Sequence, residues 1–576
     1  MKRYITTLIA LCAVALSASA QVVKQVEVTK EYAPEIGTAR KMDIAPNMVD
    51  TITLRPEIDY AITPRSFASA LGTHRFNPAT VTYWEYQRKY PFYVKAGIGY
   101  PLNTEGDFYA SLHRADVGYI TGYVNHYGQY AQLKYKSVAD DKLYKDNRSM
   151  QMNNKFGVMG GKYIGRYTLA GDLFYRMDTY YRYPLHDTEF KQRKIDFDDV
   201  NLALSFGDSF ADYSHLNFKV YASADLYNDK SKNFIAGDRY QQINVTSGLS
   251  LAREITKRSA LSFDIDYKGY YGLQSLKSYN NSLVGGKLLY RYRSGGLVDM
   301  NIGAEVVYDR NTADVVKPNR WHAFPYLAIS LNINDKGFFV PYVEVDGEVQ
   351  NNSYYSLVRQ NPYVAILGGG SGSLSADSVV PNTSLYNVRF GVSGHSANSK
   401  FAYRLYANMS FLINDIYWYN INQIFFGVES ANRNIWSLCG VVDYKPISQL
   451  LLTAQVKGSL YSNYSKVESA MPDYEALLKA RYTHKKFTVG ISADLRGETE
   501  WTCVQNSSIL GDSDKSFTFK APFWVGLNLY VDWRASKTCT VYAEGNNLLG
   551  DSMPTYRWAF YREMGASFTV GVKVQF

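Results

Sequence analysis

The chain has 576 residues, of which 51 are tyrosine, 28 phenylalanine and 8 tryptophan, a surplus of the aromatic that suits a membrane–water boundary. The net charge of +9 is spread along the chain without a basic stretch interleaved with stacking aromatics, so there is no nucleic-acid footprint. A mean hydropathy below zero argues against a bundle of membrane helices but leaves room for a barrel with a polar inner face.

At the N-terminus, Lys2 and Arg3 precede an apolar run over residues 5–16, and Ala18-Ser19-Ala20 supplies a small-x-small cleavage site before Gln21. Residues 1–20 therefore read as a secretory signal peptide. Cys12 follows Leu11, where a lipoprotein signal needs a small residue, so lipidation is not expected. Residues 21–90 carry Pro34, Pro46, Pro56, Pro64 and Pro78 and little alternation, which predicts an irregular or extended segment, periplasmic or lumenal. Beyond the signal no apolar run approaches the ~18–20 residues of a spanning helix. A chain that crosses a membrane without helices must form a closed barrel, because lipid cannot satisfy open backbone edges.

Residues 91–576 are predicted to be that barrel. Phe92, Val94, Ala96, Ile98 and Tyr100 make the first oily face, and Leu450, Leu452, Ala454, Val456 and Leu460 repeat it. Phe523, Val525, Leu527, Leu529, Val531 and Trp533 repeat it again, opposed by Trp524, Gly526, Asn528, Tyr530 and Asp532. In the final segment Ala566, Phe568, Val570, Val572, Val574 and Phe576 alternate with small or polar residues. That is period-2 patterning over a length that suits a tilted spanning strand of roughly 9–11 residues. Short turns, from residues 114–116 to 535–537, alternate with longer polar connections at 101–106, 127–149, 352–383, 414–432 and 548–560, among others. The expected fold class is all-β, a transmembrane antiparallel β-barrel of about 22 strands with short periplasmic turns and long extracellular loops. Barrels of that width are usually plugged. Once Cys12 leaves with the signal, Cys439, Cys503 and Cys539 fit no metal-ligand spacing and are not expected to pair.

The strand count, the long seventh loop and the C-terminal segment resemble the barrel of TonB-dependent receptors, especially those of Bacteroides-like bacteria. Gly545-Asn546-Asn547-Leu548-Leu549-Gly550 is similar to the asparagine-leucine signature before that family's last loop. Tyr561, Gly565 and Phe568 match the family's Tyr-Pro-x-Pro-Gly-Arg-x-Phe run into the final strand, while both prolines and the arginine are missing. Gln360-Asn361-Pro362-Tyr363 and Pro381-Asn382-Thr383 resemble its seventh-loop pattern. The terminal Phe576 resembles the end of Gram-negative outer-membrane barrels. The resemblance implies that Phe568, Val570, Val572, Val574 and Phe576 form the signal read by the barrel assembly machinery. Family members carry a sizeable globular plug, whereas the 21–90 segment of about 70 proline-rich residues is marginal for a compact core. Val26-Glu27-Val28-Thr29 is the nearest match to a TonB box.

The chemistry-bearing candidates weaken on inspection. Gly368-Gly369-Gly370-Ser371-Gly372-Ser373 lacks the strand–loop–helix context of a phosphate cradle and reads as a loop tip. Asp140-Asp141, Asp198-Asp199 and the Asp512–Asp514 pair lack the ligand pattern of a calcium loop. The eight histidines are scattered, and no Gly-x-Ser-x-Gly turn is present, so no enzyme and no cofactor are expected. The expected location is the cell outer membrane, and the expected function is solute transport through a lumen gated by the N-terminal segment, the loops or a partner. The alternative is a structural membrane platform for a surface lipoprotein or an assembly or secretion complex. The expected partners are outer-membrane lipid, the assembly machinery, and a surface lipoprotein or TonB.

Overall fold

The structure is a computed structural model that describes residues 90–136, 143–182, 194–231, 240–277, 279–294, 297–311, 321–333, 337–364, 380–462, 470–505 and 515–576. The expected signal peptide, the tetrapeptide at Val26 and nearly all of the 21–90 segment lie outside the described residues, as do the glycine run at 368 and the acidic pairs at 140 and 512.

The first strand, Phe92–Tyr100, opens a ring of 22 strands, each antiparallel to the next. The ring closes when Phe92–Tyr100 pairs with the last strand, Ser567–Gln575, in a register that sets Ala96 beside Val572 and Gly97 beside Gly571. Closure gives every strand of the ring a neighbour on both sides, which is what makes such a sheet compatible with lipid. Its lumen side is stitched by side chains. Lys95 pairs with Glu105 at 2.8 Å and Lys573 with Asp532 at 3.0 Å, and Tyr542 donates to Glu105. A side chain has no room at Gly99 of this seam, where a Cβ would lie 2.0 Å from the backbone oxygen of Phe568.

The alternation read from the sequence maps onto the two faces of the wall. Leu169, Leu173, Leu202, Leu204 and Val220 on three neighbouring strands are exposed, whereas Asp172, Arg176 and Asp199 from the same strands turn inward. On the last strand Phe568, Val570, Val572 and Phe576 are exposed and Val574 is half-buried, while Thr569 between them is buried. Tyr444, Tyr482, Phe487 and Trp533 are exposed at the short-turn end, where amphipathic rings suit the interface, and Phe487 stacks on Trp533 at 6.4 Å. Cys439 and Cys503 are buried and Cys539 half-buried, all three as free thiols.

Three expected loops turn out otherwise. The connection at 101–106 is a two-residue turn, because the second strand, Asn103–Arg114, starts at once. The connection at 127–149 is mostly strand, since Gly118–Lys136 and Leu143–Ile164 run for 19 and 22 residues. The same holds at 414–432, where Phe401–Ile421 and Phe425–Ile447 run for 21 and 23 residues. Lipid needs only ~9–11 residues of each strand. Past that height both faces meet water or protein, so the polar alternation fades while backbone pairing continues. Between Phe487–Arg496 and Trp524–Arg534, which pair directly in the ring, a hairpin of Thr499–Gln505 and Lys515–Ala521 stands apart. Its first strand runs parallel to the tip of Phe401–Ile421.

Candidate functional site

The long connection after Val340–Gln350 carries a short helix, α1 (Tyr354–Gln360). Ser353 caps it, its hydroxyl accepting from the Ser356 N–H at 3.3 Å, and Asn351 in turn accepts from the Ser353 N–H at 3.0 Å. Tyr354, Leu357 and Val358 are buried, the i, i+3, i+4 spacing of one helical face. Tyr355 and Arg359, four residues apart, present a second face.

Both faces meet the inner wall at the long-loop end. The Arg359 guanidinium pairs with Asp178, and Arg176 pairs with Asp199. Arg176 also donates to the Tyr355 hydroxyl at 3.0 Å, which donates onward to Asp199 at 3.4 Å. Tyr354 donates to Asp229, and Gln242, fully buried, accepts from the Tyr355 N–H at 3.1 Å. Burial pushes the Tyr355 hydroxyl up to about 12 against the opposing field of Arg176, so it stays protonated as a donor. The carboxylates come from three consecutive strands, Tyr167–Tyr181, Lys194–Asp208 and Asn217–Asp229, so α1 lies against a patch of wall.

Past α1 the chain reaches the other side of the ring. The Tyr363 ring stacks on Tyr561 at 3.8 Å, and the Tyr363 carbonyl accepts from the Phe426 N–H at 3.2 Å. Val364 forms a parallel bridge with Phe426. Phe426 is the second residue of the sixteenth strand, Phe425–Ile447, and Tyr561 belongs to the ribbon Tyr556–Trp558/Tyr561–Arg562 that precedes the last strand, so these anchors sit far round the ring from Asp178. They rest on a dense aromatic cluster in which Trp558 lies 5.6 Å from both Trp418 and Trp501 and 5.5 Å from Phe426. Tyr561 donates to the Ile424 carbonyl at 2.6 Å, and Arg182 from the opposite wall lies 5.3 Å over Phe425. The result is an apolar strap across the mouth, ion-paired to the wall at one end and stacked at the other.

Beside the ribbon on which this strap stacks, Glu563 is half-buried, and desolvation raises its carboxyl above the ordinary range despite Arg557, Arg496 and a hydrogen bond from Thr555. A carboxyl whose folded pKa is raised contributes stability that is full below its unfolded pKa, about 4.3, and lost as pH rises through the folded pKa. Glu563→Gln, which is always neutral, should therefore match the wild type near pH 4 and exceed it at pH 7. The fluorescence melt of the Trp418–Trp501–Trp558 cluster reads this; a gap that widens on acidification instead would refute it.

The residues expected to signal assembly lie together on the outer face of the last strand, away from the strap. Asp198 and Asp199 do not act as a pair: Asp199 turns inward to Arg176, while Asp198 meets Lys230 at 3.1 Å. Among the described residues no group of three or more His, Cys, Asp or Glu side chains could hold a metal ion. Sequence reading missed Arg176, Asp178, Asp229, Tyr354 and Phe426. Tyr363 and Tyr561 did lie in two of the motifs quoted above, and the structure stacks one on the other.

No protein-family model and no curated protein matches the sequence. Solved structures do match the fold. The ferripyoverdine receptor of the Pseudomonas aeruginosa outer membrane, bound to ferripyoverdine, is 10% identical with a TM-score of 0.60, covering 85% of this chain and 72% of that one. The FrpB iron transporter of Neisseria meningitidis is 9% identical with a TM-score of 0.62, covering 84% and 82%. The siderophore receptor PirA of Acinetobacter baumannii is 11% identical with a TM-score of 0.61, covering 84% and 80%. An apolar outer belt, a closed ring and these likenesses agree: the chain is a 22-stranded membrane barrel with the fold of the outer-membrane TonB-dependent receptors.

Proposed function

We propose that this barrel passes a solute through its lumen and that the strap of residues 351–364, stacked on residues 556–562, closes the outer mouth at rest. The observation that carries the reading is the double anchorage of the strap, with Arg359 on Asp178 at one wall and Tyr363 on Tyr561 and Phe426 at the other. The transporters and receptors that share the fold support solute passage. In this reading residues 21–90 run as extended chain in the lumen or at the periplasmic mouth, and TonB is the candidate partner on that side.

Three proteins in liposomes loaded with small sugars separate the possibilities: the full chain, a loosened strap (Arg359→Ala with Tyr363→Ala), and a chain lacking residues 21–80. Faster efflux from the loosened strap than from the full chain is the expected result. Faster efflux from the shortened chain alone would assign closure to the N-terminal segment. Equal, slow efflux from all three, with a protein copurifying at fixed ratio, would favour the platform. That second reading draws on the Phe401–Ile421/Phe425–Ile447 hairpin and its parallel contact with Thr499–Gln505, which make a ledge for a surface lipoprotein.

In the same reading Phe568, Val570, Val572, Val574 and Phe576, on and just past Ser567–Gln575, are the signal for assembly. Phe576 and Phe92 exchange backbone bonds at 2.9 and 3.1 Å, and their rings stack at 5.2 Å. Phe576→Ala keeps those bonds and removes the ring, so surface levels should fall while the refolded protein loses only about 0.5–1.5 kcal/mol. Normal surface levels would argue against the signal.

A further inference from the structure

One joint in the ring differs from the rest. The twelfth strand, Trp321–Leu331, and the thirteenth, Val340–Gln350, share only four paired positions, from Leu327↔Val345 to Ser330↔Tyr342. Each is fully paired to its other neighbour, over eleven positions. Above Leu327, among the described residues, side chains replace the ladder. The Tyr326 hydroxyl donates to the Gly347 carbonyl at 2.9 Å, and Ser384 meets His322 at 2.9 Å. Phe324, fully buried, lies 4.8 Å from Tyr386 and joins Leu283 and Val307 in a small core that also touches Val349.

The faces involved are informative. His322, Phe324 and Tyr326 alternate with the exposed Trp321 and Ala323, so they belong to the lumen face of their strand. Gly347 and Val349 share a face with the exposed Val343, and Ser384 and Tyr386 share one with the exposed Phe390. The lumen face of one strand therefore packs on the outward face of the next hairpin. The upper part of Val340–Gln350/Thr383–His395 is tucked inside the wall, and the strap of residues 351–364 continues directly from Val340–Gln350. Asn382 ties this hairpin's base of loop to Asp309 at 2.9 Å.

We propose that this lapped joint is the hinge of the gate: the hairpin moves as one piece with the strap, and the mouth opens when it slides out from under Trp321–Leu331. The proposal rests on the strap reading above and adds the moving element. Opening then breaks side-chain contacts at the lap, while the ladder from Ser384↔Ile413 to His395↔Ala402 holds and bends Phe401–Ile421 along with the hairpin. Gly347 permits the lap, since a Cβ there would lie 2.3 Å from Phe324 Cδ1 and 2.7 Å from the Leu385 carbonyl oxygen.

The test uses single-channel recording in planar bilayers. In the loosened strap, with Cys439, Cys503 and Cys539 changed to alanine, His322→Cys and Ser384→Cys are joined by oxidation or a short bismaleimide. The joined protein should open at least tenfold less often than the same protein before joining, and reduction of the disulfide should restore opening. Separately, Gly347→Ala in the otherwise native chain should raise opening frequency. Unchanged opening after joining would overturn the hinge while leaving the strap reading intact, because the strap would then open alone. A loosened strap that stays silent would overturn both.

Discussion

Val572→Arg is expected to destabilise the barrel by about 2–4 kcal/mol, the cost of placing an arginine on the lipid face near the bilayer midplane. Val572 lies mid-strand between Ala96 and Val541 of the two neighbouring strands and is 40% exposed on the outer face. There the guanidinium has only lipid beside it, and the nearest water is several residues away along a rigid strand. Gln575→Asn, on the opposite parity of the same strand, should change little. Urea unfolding in lipid vesicles reads both, and equal effects would mean that the faces are inverted.

Trp558→Ala should cost the closed strap about 3–5 kcal/mol, the range for deleting a buried tryptophan when its neighbours cannot collapse into the space. Trp418, Trp501 and Phe426 all contact this ring, and each comes from a different strand or loop, so collapse would need several elements to shift together. The barrel itself should remain folded, because its ladders do not pass through Trp558. The expected signature is a normal mobility shift between unheated and heated protein, coupled with new protease cleavage at the cell surface and sensitivity to bulky antibiotics. A barrel that fails to assemble would contradict this division between wall and strap.

The wall was legible in the sequence because lipid enforces one rule at every strand, oily outside and polar inside, and the last strand obeys it from Phe568 to Phe576. Turn spacing then gave the strand number. Loop lengths at 127–149 and 414–432 were misjudged because strands above the bilayer no longer need an oily face. The strap was largely illegible. Arg359 meets Asp178 and Tyr354 meets Asp229 across gaps of well over a hundred residues, and no local pattern encodes such a pairing. What the sequence did offer was the aromatic and asparagine content around Tyr363 and Tyr561. The lapped joint was hidden for another reason: Phe324 and Gly347 each fit ordinary alternation, and only their packing shows that the two strands part.

At rest the wide barrel is held shut by its own strap. Single-channel conductance of the purified full chain beside the Arg359→Ala, Tyr363→Ala variant tests it most directly. The full chain should be silent for long periods and the variant should open in large, ohmic steps. A full chain that conducts as often and as strongly as the variant would contradict it.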